Sequence, residues 1–77
     1  MRRESRVAHE VVAEMVANVL SLVAAPGNRL EPGDTILILE SMKMEIPVLA
    51  ETGGLLLDLR VVPGDVVQEG DVLAVVS

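Results

Sequence analysis

Lys43 is the only lysine in the chain, and the other five basic residues are arginines. A reaction that acylates side-chain amines therefore has one target, and the chemistry on offer is an amide at a single Nζ. Met42 and Met44 flank this lysine, Ser41 precedes them, and Glu40 and Glu45 bracket the set. Methionine presents a flexible, polarisable apolar surface suited to being read by another protein. A plainer reading stays open, because a lysine on a β-turn is commonly a solvating residue or a guard against edge-to-edge strand pairing. A catalytic lysine fits less well, since a solvated turn has nothing to desolvate the ammonium and activate it. For Glu40 and Glu45, ordinary solvated charge explains more than general acid or base roles, because no histidine lies near them to share a proton.

The rest of the chain offers little other chemistry. His9 is the sole histidine and there is no cysteine, so a thiolate metal site, a disulfide, a cysteine nucleophile or a Ser-His-Asp arrangement cannot be assembled. Neither G-x-x-x-x-G-K-[ST] nor G-x-G-x-x-G occurs, which leaves a phosphate-cradling loop unsupported. The absence of Phe, Tyr and Trp removes stacking platforms for single strands, and a net charge of −6 opposes nucleic acid and anionic membranes. Arg2 and Arg3 before the apolar run ending at Ala25 imitate a secretory signal, but Glu10 and Glu14 interrupt it, so the expected location is cytoplasmic. Nothing resembles an enzyme active site.

The elements that must position Lys43 follow from an internal repeat. His9 to Leu39 lies on Ile46 to Val76 without a gap, at an offset of 37 residues. Ala13-Glu14 falls on Ala50-Glu51, Leu20 on Leu57, Leu22 on Leu59, Pro26-Gly27 on Pro63-Gly64 and Gly33-Asp34 on Gly70-Asp71. Each half consists of aliphatic and β-branched runs punctuated by Pro-Gly and Gly-Asp pairs, which suit tight turns and read as four short strands. In the second half these are predicted at residues 46–51, 55–62, 66–67 and 72–76. A helix over residues 7–22 competes on spacing, but its counterpart in the repeat contains Pro47 and Gly53-Gly54 and would not sustain one.

Two such units should pack face to face as a flattened antiparallel β-barrel or sandwich of two four-stranded sheets with internal pseudo-two-fold symmetry. Positions that stay large and apolar in both halves are the expected core: Leu20 with Leu57, Leu22 with Leu59, Ile36 with Leu73, and Ile38 with Val75. Ala74 opposite Leu37 suggests a looser site. Residues 1–8 fall outside the repeat and carry three arginines, so they read as a flexible tail to a domain at 9–77. Only Glu40 to Glu45 separate the halves, which places Met42-Lys43 at the centre of a hairpin. A two-residue hairpin turn favours Asn-Gly or Asp-Gly because its central residues adopt positive φ. A local rule broken in an otherwise consistent sequence points to function.

At Glu40-Ser41-Met42-Lys43-Met44-Glu45 the chain resembles the biotinyl/lipoyl attachment family, specifically the small stand-alone biotinylated carriers akin to biotin carboxyl carrier proteins. The resemblance extends over the repeat, including Gly33-Asp34, Ala50, Gly53-Gly54, Gly64-Asp65 and Gly70-Asp71. The equal turns at 26–34 and 63–71 leave no room for the protruding thumb of some carrier subunits. Ser41 stands where Ala or Val is usual, and the first half has Gly27-Asn28 and Ala17-Asn18 where the pattern has Gly-Asp and glycines. The resemblance implies that a biotin protein ligase joins biotin covalently to Lys43, reading Glu40, Ser41, Met42, Met44 and Glu45. It further implies a non-catalytic, monomeric carrier that shuttles a carboxyl group between a biotin carboxylase and a carboxyltransferase. Lipoate is the lesser cofactor expectation, because lipoyl lysines are usually preceded by Asp and followed by a small residue. An unmodified adaptor with the same fold is the other alternative.

Overall fold

The structure, a computed structural model, describes residues 8–77. Eight strands follow one another: β1 (His9–Val12), β2 (Ala17–Leu22), β3 (Arg29–Leu30), β4 (Thr35–Ser41), β5 (Met44–Leu49), β6 (Gly54–Leu59), β7 (Val66–Val67) and β8 (Val72–Val76). No helix occurs among the described residues, so the helical spacing at 7–22 is overruled by β1 and β2. The tail expected at residues 1–8 lies, apart from Ala8, outside the described residues.

The two sheets are ordered β1-β8-β6-β3 and β5-β4-β2-β7, and every pairing is antiparallel. An offset of 37 residues carries one order onto the other, so the pseudo-two-fold of the repeat is realised. The sheets are not the two repeats packed face to face, however. Each takes two strands from the first half and two from the second, so neither half holds a complete sheet alone. The turns tie this exchange together. Gly27 N–H donates to Leu56 O and Gly64 N–H to Val19 O, both at 2.8 Å, and Gly33 and Gly70 N–H donate likewise to Ala50 O and Ala13 O at 2.8 Å. Ala13 and Ala50, both buried, thus each carry a backbone carbonyl that accepts from a turn glycine.

The same symmetry governs the turn side chains. Asn28 Oδ1 accepts from Ala25 N–H at 2.9 Å, and its counterpart Asp65 Oδ2 accepts from Val62 N–H at 3.1 Å. Asp34 and Asp71 do the same for Glu31 and Gln68, each at 2.8 Å. Asn28 thus supplies the acceptor that aspartate supplies in the other half, with Gly27 and Gly64 at φ of 96° and 97°.

The core departs from the sequence expectation at two of four pairs. Ile36, Leu37, Leu56 and Leu73 are fully buried, and burial of each contributes about 1.5–3 kcal/mol. Leu20 and Leu57 instead lie on the outer surface, 40% and 45% exposed, and Ile38 and Val75 are only half-buried, while Leu22 and Leu59, half-buried too, pack against the core as expected. The cause is a set of β-bulges repeated with the sequence. Against β4, β2 pairs Val19 with Leu39 and then Ser21 with Ile38, leaving Leu20 as the extra residue. β6 does the same against β8, skipping Leu57. Ile36 and Leu73 are the extra residues of β4 and β8, which lets consecutive side chains, Ile36-Leu37 and Leu73-Ala74, both face inward. Leu37 and Ala74 are both fully buried.

Candidate functional site

Among the described residues the β4–β5 hairpin is the longest ladder, running from Thr35↔Leu49 to Ser41↔Met44. Leu37 and Leu39 anchor it in the core, so the tip is presented from a fixed base. Met42 and Lys43 form its two-residue turn, with φ of 53° and 65°. Both values lie in the left-handed region, and among the described residues these are the only non-glycine positions there. That conformation costs about 1–2 kcal/mol per residue for an L-side chain. A paired positive-φ turn matches the twist of the flanking strands, which is why the geometry forms, although the residues are not those that adopt it most easily.

The turn holds its side chains outward. Met42 is 88% exposed and Met44 60%, and Lys43 and Glu45 are exposed beside them. Ser41 and Glu40 are half-buried. Glu40 and Glu45 stand directly opposite each other across the ladder, the second pair back from the turn that carries Lys43. Among the described residues the one ion pair joins Arg60 to Asp58 at 2.7 Å, at the end of β6 in the other sheet. All six residues singled out in the sequence therefore come together at one hairpin. Sequence reasoning missed Val16, Ala17 and Asn18, which line a shallow hollow with Glu40, Ser41, Met42 and Lys43. Their signal was present as a failure of the repeat: Val16-Ala17-Asn18 stands where the second half has Gly53-Gly54-Leu55.

A wider hollow, lined mainly by β1 and β5, opens between the two sheet edges and does not include Lys43. The tip has no enclosing walls or buried polar groups, and no cluster of metal-ligating side chains exists among the described residues. What the arrangement offers is a single projecting amine on a stiff turn, accessible from outside. An acyl cofactor that extends from the protein fits such an amine, because nothing has to be displaced to make room for it.

The chain belongs to the biotin/lipoyl attachment family, described as "Biotin-requiring enzyme", which matches residues 8–76. It is 50% identical over 70 residues to the biotinylated protein TB7.3 homolog of Mycobacterium leprae, covering 91% of this chain and 99% of that one. The biotin/lipoyl attachment protein of Bacillus subtilis is 40% identical over 67 residues, covering 87% and 92%. Among solved structures, the urea carboxylase of Kluyveromyces lactis superposes with a TM-score of 0.88 at 32% identity, over 99% of this chain and 7% of that one.

Proposed function

We propose that this chain is a non-catalytic biotin carboxyl carrier in which Lys43 is the biotinylated residue. The observation that carries the reading is the geometry at Lys43: the chain's only side-chain amine, exposed at the centre of a two-residue turn held in a strained conformation. The names of the relatives support biotin in particular.

In this reading a biotin protein ligase joins Lys43 Nζ to the cofactor's carboxyl carbon; ATP activates that carboxylate, leaving as pyrophosphate and AMP, the AMP taking the carboxylate oxygen, and the neutral amine loses a proton as the amide forms. Lys43 then carries no charge. Bound biotin supplies a ring nitrogen that accepts a carboxyl group at a biotin carboxylase and releases it at a carboxyltransferase. The chain's own residues do three things. The β4–β5 ladder fixes where the arm begins, the lysine stem lets its far end move, and Met42 and Met44 present apolar surface to the ligase beside the reacting amine. Tethering replaces diffusion between two sites with an effective local concentration set by the arm's reach.

Intact mass after co-expression with a biotin protein ligase tests the reading. The expected result is one biotin-sized increment, absent in Lys43→Arg. A lipoyl-sized increment, no increment, or a biotin increment that survives Lys43→Arg overturns it.

A further inference from the structure

We infer that Met42 and Met44 are a paired oxidation site whose sulfoxides block acylation of Lys43, so that the tip is closed to its ligase under peroxide stress. The inference rests on the reading of Lys43 as the biotinylated residue. Its basis is where the molecule keeps its oxidisable groups. The chain has no Cys, Trp or Tyr, which leaves methionine sulfur as the softest side-chain target for a peroxide. Of the methionines among the described residues, Met42 is 88% exposed, Met44 60% and Met15 only 38%. Among the described residues the two most accessible thioethers are therefore the two neighbours of the one lysine.

The chemistry is simple oxygen transfer. Each thioether sulfur gives two electrons to the peroxide, takes one oxygen atom and releases water. A flexible apolar side chain becomes a polar one with a chiral S–O group, and a reductase acting with a dithiol reverses the change, leaving a disulfide and water. At most positions on a protein surface this has little effect. At this turn the backbone of Met42 and Lys43 is held at φ of 53° and 65°, and Met44 is fixed in the β4–β5 ladder opposite Ser41, so both sulfoxides stay rooted next to Lys43. A partner that reads apolar surface on both sides of the amine meets two S–O dipoles that it must desolvate. Oxidation therefore changes recognition without unfolding the domain, because neither side chain contributes to the core.

The experiment treats the unmodified full chain with hydrogen peroxide, maps oxidation by peptide mass over time, and measures the initial rate of biotin incorporation by a biotin protein ligase. Met42 and Met44 should oxidise before Met15. The doubly oxidised protein should keep its thermal transition yet take up biotin at least about tenfold more slowly, and methionine sulfoxide reductases of both stereospecificities should restore the rate. Met42→Leu/Met44→Leu keeps the apolar surface and should lose no rate after the same exposure. Oxidation of Met15 first, an unchanged rate in the doubly oxidised protein, or an equal loss in the leucine variant overturns the inference. If the untreated chain takes up no biotin at all, the reading of Lys43 fails, and the order of oxidation still reports on the site itself.

Discussion

The two ends of the sandwich share one plan and differ at the joint. At one end β4 pairs with β5, Leu39 opposite Ile46, and the pair is closed by Met42-Lys43. At the other end β8 pairs with β1 in the equivalent register, Val76 opposite His9, and no turn joins them; Ser77, which follows β8, lies against β6. The strand behind each joint is adapted to what it meets. Gly54 lets the Ser77 backbone approach so closely that an added Cβ would collide with its carbonyl oxygen, and Ser77 N–H donates to Leu55 O at 2.9 Å. The counterpart of Gly54 at the hairpin end is Ala17, a buried side chain beside the hollow at the tip. One frame is thus used twice, and the chemistry-bearing residues sit where the repeat is broken.

If the frame is shared, the core beneath both ends should respond alike while the outward bulge residues do not. Leu56→Ala and Leu37→Ala each remove a fully buried leucine, one from each half, and should each cost about 2–5 kcal/mol in urea denaturation. Leu57→Ala, one residue along at the outer bulge, should stay within about 0.5 kcal/mol. A Leu57 variant as damaging as Leu56→Ala would mean that the bulge assignment, and with it the matched frame, is wrong.

The next largest effect separates the two ends. Gly54→Ala forces the Ser77 backbone away and should cost about 1–3 kcal/mol, as inserted volume does where the neighbour is main chain. Ala17→Gly, the reverse change at the equivalent position, should cost only about 0.5–1 kcal/mol, the conformational freedom gained by the unfolded chain. Equal costs, read from thermal unfolding, would remove the distinction drawn between the two joints.

These contrasts also mark what could be read from the sequence. Pro-Gly and Gly-Asp recur because each turn needs a positive-φ glycine and a side-chain acceptor, so strand number, repeat and central hairpin were all legible. The exchange of strands between halves was not, since a repeat fixes equivalence without saying which copy pairs with which. The inward faces were half legible. Alternation places side chains correctly along a regular strand, but one bulge residue reverses the faces beyond it, and Leu20 and Leu57 occupy such positions. The tip was legible as a set of residues and as a turn, because Met-Lys violates the composition that positive φ prefers. The contribution of Val16 to Asn18 was not, because only the β2–β4 register brings them to the hairpin.

Replacing Met42-Lys43 by Asn-Gly tests the strain at the hairpin directly. The substitution relieves two left-handed L-residues and should raise stability by about 1–2 kcal/mol, while biotin uptake falls to nothing. Unchanged stability would show that the turn is not held against its residues' preference. The tip would then differ from the glycine turns in sequence but not in energy.

The smallest effect concerns charge. Glu40 and Glu45 face each other across the ladder, and like charges placed so destabilise a hairpin modestly; the Lys43 ammonium, on the turn that joins their strands, is the nearest cation along the chain to offset the repulsion. Glu45→Gln should therefore raise the stability of the unmodified protein by a few tenths of a kcal/mol, about the scale of one exposed pair. In the acylated protein the ammonium is gone and the repulsion is no longer offset, so the same substitution should help more, and the difference should shrink as salt screens it. Thermal unfolding of both forms, with and without Glu45→Gln, at low and high salt, measures this as a coupling between positions 43 and 45. An equal effect in both forms at low salt would mean that the two carboxylates are solvated independently of Lys43. Identity of side chain at the tip would then be the only feature available for a partner to read.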